Sequence, residues 1–138
     1  MDLDPTPQSV IVRLVDATNA HDLEELVSCF ASDYRNETPA HPARGFSGRE
    51  QVRRNWQQIF AAVPDVAATV RSTVVDGDAV WSEWAMSGTR ADGSAHRMAG
   101  VIIFGVSGSE ISSARFYLEP LDEGVGGVDQ AIRDATRS

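Results

Sequence analysis

Apolar positions recur with a helical period in the first half of the chain and with a period of two in the second. Thr6-Pro7 pairs an N-cap residue with a proline whose missing N–H costs nothing at the first helical position; Val10, Leu14 and Val15 follow at helical spacing. Asp22 with Glu25 reads as a capping box for a second helix, along which Leu23, Leu26, Val27 and Phe30 form one stripe. Ser47-Gly48-Arg49-Glu50 reads as the capping box of a third, whose Val52, Trp56, Ile59, Phe60 and Val63 share a face until Pro64 ends it. Between the second and third helices, residues 33–37 read as a short strand, and Pro39, Pro42 and Gly45 mark an ordered loop.

Beyond Pro64 the alternation predicts strands over 66–75, 79–89, 95–106 and 110–119, joined by Asp76-Gly77-Asp78, Asp92-Gly93 and Ser107-Gly108-Ser109. Three helices followed by an antiparallel meander make an α+β domain occupying the whole of 1–138, with 122–138 a flexible or short helical tail. Val80, Ser82, Trp84 and Met86 share one strand face, and Trp81, Glu83 and Ala85 the other. Met98, Ile102 and Phe104 oppose Ala99, Val101 and Ile103 in the same way. A strand that is apolar on both faces has to be covered on both. The helices cover one, so the pattern predicts a homodimer through the outer sheet face.

Composition narrows the chemistry. All twelve basic residues among the 138 are arginine, which removes lysine Schiff bases, lysine general bases and Walker-type phosphate loops. A formal net charge of −8 argues against a nucleic-acid partner, and no apolar run is long enough to span a membrane. A single cysteine, Cys29, allows no internal disulfide and reads as a buried small hydrophobe. The acidic start of the chain lacks the basic-then-apolar pattern of a secretory signal, so a cytoplasmic location is expected. Three scattered histidines and the lack of a glycine-rich fingerprint predict neither a metal nor a nucleotide cofactor. Arg44, Arg49, Arg53 and Arg54 cluster near the third helix and read as a solvated face.

Several strings in this order resemble the nuclear transport factor 2-like superfamily and its SnoaL-like branch over residues 10–120. They are Asn19-Ala20-His21-Asp22, Phe46-Ser47-Gly48-Arg49-Glu50-Gln51-Val52, Glu83-Trp84 followed by Gly88-Thr89 and Asp92-Gly93, and Arg115-Phe116-Tyr117-Leu118-Glu119-Pro120. The resemblance implies a cone whose concave sheet and covering helices enclose an apolar pocket. It implies no one reaction, because polyketide cyclases, ketosteroid isomerase, scytalone dehydratase, limonene epoxide hydrolase and non-catalytic binders share the architecture.

Tyr34-Arg35-Asn36 is similar to the water-holding Tyr-x-Asn of limonene epoxide hydrolase. The catalytic aspartate–arginine–aspartate triad of that family falls at Trp84, Met86 and Phe116, so epoxide hydrolysis has no acid or base here. The ketosteroid isomerase and polyketide cyclase carboxylates find no counterpart on the inner strand face, where parity places neither Asp nor Glu. Glu83, Arg115, Tyr117 and Glu119 share the outer parity and read as a polar network at the dimer interface.

The candidate catalytic residues are therefore Tyr34 and Asn36, with His96 either solvent-exposed or a proton-transfer group at the rim. Trp56, Phe60, Trp84, Met86, Met98, Phe104, Phe116 and Leu118 are the expected apolar lining, with His41 reaching the pocket mouth. His21 is expected to be an exposed helix-start residue. The partner expected is a small hydrophobic molecule: one to be isomerised, cyclised or dehydrated, or one held by a non-catalytic binding or scaffold domain.

Overall fold

A computed structural model describes residues 4–137. Helix α1 (Pro7–Asn19) starts as its sequence predicts. Thr6 Oγ1 accepts from the Ser9 amide and the Ser9 hydroxyl oxygen accepts from the Thr6 amide, so two otherwise unpaired donors are satisfied reciprocally. Its buried stripe is Val10, Ile11, Leu14, Ala17 and Thr18. In helix α2 (Leu23–Ser28), Asp22 caps the Glu25 amide at 3.1 Å, but the return half of the capping box does not form. The Glu25 carboxylate instead accepts from Arg13 Nε at 2.6 Å, and a second nitrogen of that guanidinium reaches Ser28 Oγ at 2.6 Å, tying α1 to α2. Phe30, expected to extend the α2 stripe, is the first residue of strand β1 (Phe30–Glu37), which is longer than the predicted strand.

A single 3-10 turn (Pro42–Arg44) and the two-residue strand β2 (Phe46–Ser47) lead into helix α3 (Arg49–Ala62). The predicted Ser47 capping box is absent. The N-cap is Gly48 at φ +98°, a conformation that costs glycine little and a side-chain-bearing residue much. Strands β3 (Ala67–Asp76), β4 (Ala79–Thr89), β5 (Ala95–Ser107) and β6 (Glu110–Pro120) form the expected meander. The whole sheet runs β2-β1-β6-β5-β4-β3, and β1 lies parallel to β6, so the sheet is mixed and not wholly antiparallel.

Curvature and closure have identifiable devices. The β3–β4 register shifts between Val70 and Ser72, and the β5–β6 register between Gly105 and Val106. Gly100 sits at φ +149° against the Tyr117 carbonyl, where an added Cβ would collide. Asn19 fastens the end of α1 to β3: its side-chain amide donates to the Ala68 carbonyl at 2.9 Å and accepts from the Ala68 amide at 2.7 Å. His21, at φ +54°, places Nε2 2.7 Å from the Val66 carbonyl oxygen, so it closes the helix–sheet seam as well as preceding α2. The core lies between these helices and the concave sheet face, as parity predicts, with Val80, Trp84, Ile102 and Phe104 buried and Trp81 exposed. The tail forms a short helix, α4 (Val128–Ala135), which buries none of its residues. No helix among the described residues is long and apolar enough to cross a membrane.

Candidate functional site

The helices do not fill the concavity completely. A cavity of about 290 Å³ remains between α3, β1 and the ends of β4, β5 and β6. Strand alternation positions its walls: Tyr34 and Asn36 point inward from β1, Met86 from β4, His96 and Met98 from β5, and Phe116 and Leu118 from β6. Trp56 faces them from α3. A smaller void of about 40 Å³ lies beyond and shares Trp56, Met86, Phe116 and Leu118 with the larger one; Trp84 and Phe104 belong to this floor and not to the main chamber. The floor is apolar apart from Thr18.

Two expected lining residues lie elsewhere. Phe60 packs against the core outside the chamber, where it stacks on His21 with ring centroids 5.0 Å apart and lies tilted against Trp56. Residues 56 and 60 share a broad helical face, but the sheet meets only part of it. His41 does not line the cavity, because its Nε2 lies 2.8 Å from Glu119 Oε1, a partner that the outer parity of β6 holds on the other side.

Tyr34 and Asn36 form one unit. The buried Tyr34 hydroxyl donates to Asn36 Oδ1 at 2.7 Å, and Asn36 Nδ2 donates to Thr38 Oγ1 at 3.4 Å. Burial raises the Tyr34 pKa above the ordinary tyrosine value, so the phenol stays protonated and acts as a positioned dipole and not as a base. His96 is half-buried near the start of β5; its Nδ1 lies 3.4 Å from an Arg90 nitrogen. Desolvation, then the Arg90 charge, lowers its pKa, so the ring is neutral at neutral pH. Cys29 is buried with its thiol pushed up to about 11 by desolvation, which leaves it unreactive.

Sequence reasoning missed Arg44, Thr38 and Asn55, all of which line the cavity. The arginine cluster read as one solvated face disperses. Arg53 pairs with Glu24 and Glu50, Arg54 donates to Gln51, and Arg49 reaches the Phe30 carbonyl, whereas Arg44 stands at the cavity. The only available signal was its place in the Pro42–Arg44 turn, opposite the end of β1. No Asp or Glu lines either chamber.

Comparison with known proteins agrees with this architecture. IdmH of Streptomyces antibioticus, solved as a candidate polyketide cyclase, superposes with a TM-score of 0.72 at 25% identity, over 83% of this chain and 93% of that one. A Mycobacterium tuberculosis protein in complex with estradiol-17β-hemisuccinate has a TM-score of 0.71 at 20% identity, over 82% and 94%. A Catenulispora acidiphila protein with a ketosteroid isomerase-like fold, in complex with trimethylamine, gives 0.70 at 21%, over 81% and 87%. No curated protein matches the sequence significantly. The SnoaL-like domain model matches residues 11–114, from the first helix into the last strand of the meander; the chain belongs to the SnoaL-like domain family.

Proposed function

We propose that this chain binds a compact hydrophobic metabolite in the chamber between α3 and the sheet, and turns it over by orientation and hydrogen bonding, as an isomerase, cyclase or dehydratase. The observation that supports this most is that Tyr34 and Asn36 line an open chamber of about 290 Å³, near the lower end of ordinary ligand pockets, with Trp84 set back in the floor. Asn36, oriented by the Tyr34 hydroxyl, would hold a carbonyl or a water through its remaining amide hydrogen. His96 would be the proton-transfer group, being the one histidine in the lining, where no carboxylate competes for the role. The likeness to IdmH favours cyclisation among the three reactions.

The lack of any carboxylate in the lining favours a second reading, a non-catalytic binding domain. One experiment separates the two. A thermal-shift screen against hydrophobic metabolites gives hits under either reading, since a ligand that binds the folded state raises its melting temperature. Conversion of a hit, lost in Tyr34→Phe and Asn36→Ala variants that still fold and bind, supports catalysis. Binding without conversion supports the binding domain, and a screen without hits refutes both.

On the outer sheet face Trp81 and Tyr117 are 47% and 42% exposed, beside Val101 and Ile103 on β5, and we infer that a second copy of the chain covers them. Sedimentation at micromolar concentration would give a dimer, and Trp81→Glu a monomer; a monomeric unmodified chain would exclude the pairing.

A further inference from the structure

The hydrogen-bond directions at the chamber can be assigned from groups that only donate. A guanidinium has no lone pair to offer. Arg54 therefore fixes Gln51 Oε1 as an acceptor at 2.7 Å, which leaves Gln51 Nε2 to donate to Asn55 Oδ1 at 2.8 Å. With its oxygen so engaged, Asn55 keeps its amide nitrogen to donate, and no acceptor among the described residues meets it. The same logic applies to His96. Arg90 donates to Nδ1, so the neutral ring carries its proton on Nε2. Arg44 makes no ion pair among the described residues. Asn55, His96 and Arg44 come from α3, β5 and the 3-10 turn, yet they line one chamber, and each offers donors. The Tyr34 proton is already spent on Asn36, and the rest of the chamber is largely apolar.

We propose that the ligand is a carboxylic acid: its carboxylate is bound by Arg44 with Asn55 and His96 donating, and its hydrophobic body lies over Trp56, Met86, Phe116 and Leu118. This rests on the binding reading above and specifies the ligand class. Arg44 is the one charged residue of the lining, Arg90 being engaged behind His96 outside it, and one guanidinium fork matches the two oxygens of a carboxylate. An amine would meet donors and a cation, with no carboxylate to pair with.

Calorimetric titration with naphthylacetate, the neutral naphthylacetamide and the cationic naphthylethylamine tests the assignment on the intact protein. The acid is expected to bind about tenfold more tightly than the amide, and the amine most weakly. Arg44→Gln, at an exposed turn position, should bring the acid to the affinity of the amide while leaving the amide unchanged. Asn55→Asp keeps the acceptor for Gln51 and adds a negative charge; it should weaken the acid further and strengthen the amine. Equal binding of acid and amide by the unmodified protein would overturn the proposal and leave the hydrophobic pocket standing. Stronger binding of the amine would overturn it too. Failure of all three to bind would overturn the proposal and the pocket reading together.

Discussion

The floor and the mouth of the cavity share α3 and strands β4 to β6, yet they treat polar atoms in opposite ways. At the floor every polar group is answered within the fold: Trp84 Nε1 donates to Ser82 Oγ at 2.8 Å, Ser82 to the Ile102 carbonyl at 2.7 Å, and Thr18 to the Leu14 carbonyl at 2.8 Å. At the mouth, Asn55 and His96 are oriented by their neighbours, and the donors of both and of Arg44 meet no acceptor among the described residues. A buried polar atom without a partner costs about 1–3 kcal/mol, so the dry end has to be self-sufficient. The wet end can keep its donors for something else. Closure at the floor serves stability, and availability at the mouth serves a ligand.

Substitutions at the two ends should separate along that line. The largest effect is expected for Trp84→Ala, which enlarges the small void beside Phe104 and should cost about 3–5 kcal/mol in denaturant unfolding. A loss below about 1 kcal/mol would mean that the floor is not packed as described. Ser82→Ala removes the acceptor of the Trp84 ring N–H and should cost about 1–3 kcal/mol. At the mouth, Arg44→Gln should shift unfolding by no more than about 0.5 kcal/mol, because the side chain is exposed and makes no ion pair among the described residues.

The smallest effect concerns protons. His96 is held below the ordinary histidine pKa of 6.5 by desolvation and by Arg90. The folded ring therefore binds fewer protons than the unfolded one. Its contribution to stability is complete above pH 6.5 and is lost as pH falls through the folded value. Arg90→Gln removes one of the two causes, so the His96 ring should titrate at a higher pH by NMR while staying below the ordinary value. An unmoved midpoint would remove Arg90 from the account of that ring and of its tautomer.

Much of the fold was legible in the sequence because it is local. Strand parity placed Tyr34, Asn36, Met86, Met98, Phe116 and Leu118 on the inner face, and Thr6-Pro7 and Asp22 announced their helices. Long-range pairing was not legible: nothing in residues 30–37 says that they lie parallel to β6. Capping failed where a better partner existed elsewhere, as Arg13 shows by drawing Glu25 from its box. At the site, the apolar residues could be assigned by period and the polar ones could not. Asn55 lies on a half-polar helix and Arg44 in a proline-flanked turn, and only the closed fold brings them to one cavity. His41 and Phe60 went astray for the same reason, since Glu119 and His21 are partners distant in sequence.

The central claim is that a ligand occupies the chamber, and two of the three methionines, Met86 and Met98, line it. Methyl-labelled methionine therefore reports on the site directly. Titration with naphthylacetate should move the Met86 and Met98 methyl resonances together and to saturation, with both shifts moving to higher ligand concentration in Arg44→Gln. If calorimetry records binding while both methyl resonances stay in place, the ligand lies elsewhere and the chamber is not the site.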